Sequence, residues 1–214
     1  MKRTLLSVMI AATAATPMLT QAASSIQFTV TGALVPSTCD ITMPGGSTIN
    51  YGKIASDTLK TDETTQIGGD MHTSIRVACA APTLFAITPI DVRAASKITV
   101  AGQTDAALFG LGTVDDKKIG AYTVDFTNAT TADGKTLTVL RTADISGKAN
   151  LQASANVYPN QLSGFAEASG NAFTAYKDVT TDVSVKAYIQ KASELPLTKN
   201  IPLDGLATFE VRYL

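Results

Sequence analysis

Few residues in this 214-residue chain have the types and spacing that chemistry needs. His72 is the one histidine, next to Met71 in a stretch that reads as a polar loop. A nucleophilic Ser-His-Asp site needs that histidine and also a serine in a constrained turn, and no such setting surrounds any serine here. Zinc needs several His or Cys ligands at short spacings, whereas Cys39 and Cys79 stand forty positions apart. No Gly-Lys-Ser/Thr loop is present to cradle phosphate. Asp115-Asp116 has the composition of a carboxylate pair for glycoside chemistry. The Lys117-Lys118 that follows reads instead as the solvated tip of a hairpin. Asn128-Ala129-Thr130 fits an N-glycosylation triplet, a pattern common by chance. The chain therefore reads as a non-enzyme with no catalytic residues, no metal site and no cofactor.

The two cysteines suit a different role. Lys2 and Arg3, the apolar run Leu5 to Ala15, Pro17 and the small-residue site Thr20-Gln21-Ala22 have the form of a signal peptide over residues 1–22. Such a segment directs export, and in an oxidising compartment Cys39 and Cys79 are expected to form a disulfide. Closing a loop of that length contributes roughly 3–4 kcal/mol. Residues 23–214 are expected to be a single domain. Removing Lys2 and Arg3 from the 17 basic residues leaves 15 against 18 acidic, a formal charge of −3. That balance, without clusters, points away from nucleic acid and anionic membrane surfaces.

The elements that would position these residues read as short strands. In the C-terminal stretch Ala207, Phe209, Val211 and Tyr213 alternate with Thr208, Glu210 and Arg212, the period of two expected of a strand with one buried face. The same alternation appears in residues 24–35, through Ile26, Phe28, Val30, Gly32 and Leu34. It recurs in the short piece through Cys39, Ile41 and Met43, in Ser74 to Cys79 with Ile75, Val77 and Cys79 on one face, and in Val183 to Ile189. Ile49–Ile54, Leu84–Val92, Lys97–Val100, Leu108–Leu111, Gly120–Phe126 and Thr136–Arg141 are further candidates, with Asp133-Gly134 as a hairpin turn. Residues 55–73 read as a polar loop turning at Gly68-Gly69, and 142–182 shows little period. The expectation is an all-β fold, an immunoglobulin-like sandwich.

Three features together resemble the subunits of chaperone–usher fimbriae of Gram-negative bacteria, the pilin-like family. Val30-Thr31-Gly32-Ala33-Leu34-Val35-Pro36-Ser37-Thr38-Cys39 looks like the family's first strand running into a cysteine. The second cysteine follows about forty residues on, and Tyr213 stands next to last, before Leu214. Thr-Cys-Asp-Ile-Thr and the final Asp-Gly-Leu-Ala-Thr-Phe-Glu-Val-Arg-Tyr-Leu look like a fimbrial-like branch of exported proteins. The resemblance covers the first sixty and last thirty residues, and residues 95–180 only in general character.

What the resemblance implies is a sandwich that lacks its last strand in cis and leaves a groove between the first and final strands. A periplasmic chaperone fills the groove and escorts the subunit to an outer-membrane usher. The N-terminal segment of a neighbouring subunit then takes the chaperone's place. Phe209, Val211, Tyr213 and Leu214 would form the groove and the chaperone contact, with the terminal carboxylate as an anchor. Ile26, Phe28 and Val30 would be the donated side chains, with Gly32 at a close approach. The protein would then be a structural or adhesive fimbrial subunit, exported to the periplasm and cell surface, with a host or surface glycan as a conceivable receptor. The chain departs from the family in one respect. Residues 23–29 are short for a donor strand, which leaves open an abbreviated donor segment or a pilin-like protein that does not polymerise. Other readings are a complete, self-contained periplasmic or secreted binding sandwich, with a site in the loop-rich 142–182, and a small outer-membrane β-barrel. The barrel is poorly served by a chain with no Trp, six Tyr and seven Phe.

Overall fold

The computed structural model describes residues 26–32 and 38–214. The expected signal peptide and residues 24, 25 and 33–35 of the expected first strand lie outside these. The chain divides into an N-terminal unit, Met1–Val35, and a main unit, Pro36–Leu214. In the first, residues 26–32 carry no strand, contrary to the alternation-based expectation. Ile26, Phe28 and Val30 are 95%, 88% and 81% exposed. Alternation records which faces a strand would have, and supplies no neighbour to hydrogen-bond with.

The main unit is all-β, an open sandwich of two antiparallel sheets. Its strands in chain order are β1 (Cys39–Thr42), β2 (Thr65–Thr83), β3 (Phe85–Asp91), β4 (Phe109–Gly110), β5 (Thr113–Val114), β6 (Lys117–Lys118) and β7 (Gly120–Thr131). They continue as β8 (Leu137–Thr142), β9 (Gln152–Ala153), β10 (Asn156–Val157), β11 (Leu162–Glu167), β12 (Tyr176–Ile189) and β13 (Ala207–Tyr213). One sheet runs β1-β2-β12-β7-β10 with β4 beside β7, and the other runs β13-β3-β11-β8-β9. The small pair β5–β6 turns through Asp115 and Asp116, both at positive φ (46° and 60°), so the two carboxylates sit at a hairpin tip as expected.

Between the sheets lies the core. Ile75 and Val77 of β2, Phe126 of β7, Phe85 and Ile87 of β3 and Phe165 of β11 are all 2% exposed or less. The Phe85 and Phe165 rings meet edge to face, centroids 6.0 Å apart. Cys39 stands opposite Cys79 in the β1–β2 register and is bonded to it. A second, smaller cluster of Ile98, Val100, Leu108, Ala121 and Tyr188 is buried on the reverse face of the first sheet. Lys97–Val100 is thus a loop segment that buries Ile98 and Val100, and not the expected strand.

Two expectations fail in the same way. Residues 65–73 belong to β2, and Gly68-Gly69 lies inside that strand. Gly68 takes φ +61°, and the β2–β12 register slips there between Ile67↔Ala187 and Met71↔Val185. Two extra residues bulge out of β2, a use of glycine that in sequence looks like a turn. His72 accordingly stands on a strand, exposed and opposite Ser184, and not in a loop. Residues 142–182 contain β11, whose two faces are both covered. Phe165 faces the core, while a Cβ on Gly164 would fall 2.6 Å from the Phe173 ring on the other side. A strand covered on both faces has no polar alternation to show.

Candidate functional site

β13 is the edge strand of its sheet. It pairs with β3 from Ala207↔Asp91 to Tyr213↔Phe85 and has no strand on its other side among the described residues. The hydrogen bonds at its ends fix which backbone groups face which way. Val92 N–H donates to Leu206 O (3.0 Å), and Leu214 N–H donates to Leu84 O (3.2 Å). In an antiparallel ladder bonded pairs recur at every second residue, so Thr208, Glu210 and Arg212 turn their N–H and C=O groups to β3. The groups of Ala207, Phe209, Val211 and Tyr213 point to the open edge. The side chains of Ala207, Phe209 and Val211 point toward the core yet remain only half-buried.

What should cover them is a furrow of about 1100 Å³. Its floor is the apolar face of the first sheet, with Tyr122 and Val124 of β7 and Val183, Val185 and Ile189 of β12. One wall is β13 with the segment leading into it, through Ile201, Leu203 and Phe209. Phe209 leans on Phe126, ring centroids 6.1 Å apart. Gly205 is needed where this wall crosses the floor, since a Cβ there would meet Tyr122 Cε1 at 2.9 Å and Leu111 Cδ2 at 3.0 Å. The wall is tied down by Asp204, whose N–H donates to Leu111 O (3.0 Å) and whose carboxylate pairs with Arg93 (2.9 Å). Lys199 pairs with Asp115 at 2.6 Å.

The opposite wall is the chain after β1, through Ile49, Tyr51 and Ile54. These three side chains pack on the core. The Tyr51 hydroxyl donates to Val185 O at 2.8 Å, and burial, with Asp70 nearby, pushes its pKa up to about 12. The expected strand over Ile49–Ile54 is absent. The stretch is held by its side chains, and among the described residues no backbone-to-backbone hydrogen bond joins 47–54 to another segment.

The sequence-derived site residues separate into groups. Phe209 lines the furrow, and Val211 packs on the core beside it. Tyr213 is 50% exposed and does not line the furrow, its hydroxyl accepting the Cys39 N–H at 2.8 Å. This contact ties the last strand to the disulfide-bearing one. Leu214 is partly buried, where a Cβ on Gly147 would meet its Cδ1 at 2.8 Å. Ile26, Phe28, Val30 and Gly32 lie in the N-terminal unit, exposed. The stretches 47–54 and 195–206 were not expected as walls: Ile49–Ile54 reads as a strand in sequence, and Ile201 and Leu203 continue the two-residue alternation of β13 in a segment that carries no strand. Asn128 of the glycosylation triplet donates its side-chain amide to Asp182 (2.9 Å). Among the described residues no group of three or more His, Cys, Asp or Glu could hold a metal ion, and no helix is long and apolar enough to cross a membrane.

A family model described as "Protein of unknown function (DUF1120)" matches residues 28–108. The chain is also similar to "Uncharacterized protein YhcF" of Escherichia coli (strain K12). The two are 29% identical over 235 aligned positions, covering 96% of this chain and 98% of that protein.

Proposed function

We propose that the protein is a fimbrial-like subunit whose sandwich is completed by an extended strand from another polypeptide. The observation that carries this reading is the apolar furrow running beside the free edge of β13. A strand laid there gains main-chain hydrogen bonds from Ala207, Phe209 and Val211 and lowers alternate side chains onto the floor. An uncovered edge above apolar surface is otherwise an aggregation hazard. The occupant in the assembled state is the N-terminal segment of a second copy. Ile26, Phe28 and Val30 stand at strand spacing, and all three are exposed. Contacts of this head-to-tail kind do not close on themselves and build a fibre. Before assembly a periplasmic chaperone's strand would hold the same place, and an outer-membrane usher would receive the complex.

The test is export of the chain to the periplasm with and without a co-expressed fimbrial chaperone. The expected result is a soluble one-to-one complex with the chaperone, and a lower yield of soluble chain without it. A chain that forms no complex with the co-expressed chaperone and is equally soluble without it would overturn the reading in favour of a self-contained sandwich.

A further inference from the structure

On the side of the sandwich away from β13, one half-buried cation has no anion beside it. Arg141 of β8 stands opposite Gln152 of β9 and Ser163 of β11, and Ser163 stands opposite Ile87 of β3. Residues directly opposite share a face of the sheet, so Arg141 lies on the inward face with Ile87 and Ser163, both 0% exposed. The guanidinium is held there from three directions. It lies 3.7 Å from the centroid of the Tyr158 ring, just past the end of β10. Nη1 donates to Gln161 Oε1 at 2.6 Å, and Nη2 donates to Gln152 Oε1 at 3.2 Å. None of these residues lines the furrow.

A ring face and two neutral carbonyls position this charge without cancelling it. Arg76 and Arg93 pair with Asp178 and Asp204, whereas no carboxylate of the described residues lies within ion-pair distance of Arg141. A guanidinium carries five N–H groups, and the glutamines take two of them. Nε is buried without a partner, as is the Ser163 hydroxyl opposite. That leaves one free N–H on Nη1 and one on Nη2. Because a guanidinium only donates, each glutamine turns its carbonyl to Arg141 and its NH2 away. The corner is therefore cationic, rich in donors and partly desolvated. A charge taken out of water without a partner is costly, and an anion arriving from outside offsets that cost.

We propose that this corner binds a small carboxylate, free or carried on a sugar, with Arg141 as the residue that takes it. Two N–H groups of one planar guanidinium match the two oxygens of a carboxylate, a fit that a lysine ammonium does not offer. The Tyr158 ring and the two glutamine carbonyls hold the fork in place before the ligand arrives, which lowers the ordering cost of binding. The site stands independently of strand capture in the furrow.

The test is NMR titration of the full chain, following the side-chain amide signals of Gln152 and Gln161. The probes are sodium acetate and sodium D-glucuronate, with D-glucose, sodium chloride and sodium sulfate as controls at equal concentration. The expected result is a saturable shift of both amides with each carboxylate, a weaker one with sulfate and none with glucose or chloride. Tighter binding of glucuronate than of acetate assigns a sugar acid, and equal binding assigns the carboxylate alone. Two variants separate binding from packing. Gln152→Glu supplies a carboxylate from within the chain, so it should keep the parent Tm and lose the response. Arg141→Lys keeps the charge without the fork and should weaken binding at least about tenfold. The proposal is overturned by no shift with either carboxylate, by equal shifts with glucose or sulfate, or by a Gln152→Glu chain that responds as the parent does.

Discussion

A proline at Val211 should separate two ladders that meet on β13. The Val211 N–H faces the open edge, whereas the Glu210 N–H lies in the ladder to β3, opposite Thr88. Glu210→Pro leaves the Thr88 carbonyl without its donor, at a cost of about 1–3 kcal/mol for a buried group. For a domain of this size that lowers Tm by about 2–12 °C. Val211→Pro leaves that ladder whole, and its effect on Tm should match that of Val211→Ala, which accounts for the lost side chain. What Val211→Pro removes is one main-chain hydrogen bond to an incoming strand, worth about 0.5–1.5 kcal/mol net. Binding of a fluorescent peptide of residues 23–34, followed by anisotropy, should therefore weaken about two- to twelvefold relative to Val211→Ala. The reasoning is refuted if Val211→Pro lowers Tm as Glu210→Pro does and peptide affinity does not distinguish it from Val211→Ala.

Replacing both Cys39 and Cys79 by alanine opens a loop with a sequence separation of 40 residues. On the chain-entropy relation this costs about 4 kcal/mol, read from denaturant unfolding, and a loss below about 1 kcal/mol would contradict it. Tyr51 gives a pH dependence of definite sign. Its folded pKa lies above the ordinary 10.0, so its contribution is fully present below pH 10 and is lost as pH rises through about 12. Thermal unfolding between pH 10 and 12 should show less alkaline loss in Tyr51→Phe than in the parent chain. Identical profiles would show that the phenol is not what holds this wall.

Where one face of an element is buried and the other wet, the sequence was readable. β13 and the Ile75–Cys79 part of β2 alternate because each has core on one side only. The pairing of Cys39 with Cys79, expected on the reading of an exported chain, is present and in register. Legibility ended where that asymmetry ended. β11 lies under Phe173 on one side and against the core on the other, so Leu162–Ala166 is buried throughout and carries no period. Gly68-Gly69 looked like punctuation because a bulge and a turn use glycine for the same positive φ. Ile49–Ile54 is the converse, a stretch with strand patterning and no strand. Patterning encodes the face a segment buries, while the ladder depends on a neighbour, and among the described residues no strand lies beside it. The furrow itself was expected only from the ends of the chain. Its walls at 47–54 and 195–206 place apolar residues two apart without forming strands, and that they enclose a furrow became apparent only in three dimensions.

The most direct measurement of the central claim is the thermal unfolding of the full chain titrated with the peptide of residues 23–34, beside a control peptide with Phe28 and Val30 replaced by aspartate. A strand that binds the folded chain alone should stabilise it by about 2.7 kcal/mol at a hundredfold excess over Kd. That is a rise in Tm of about 5–11 °C, with no rise from the control. A Tm unmoved by the native peptide at every concentration, or moved equally by both, would contradict the claim that this sandwich is completed by another chain's strand.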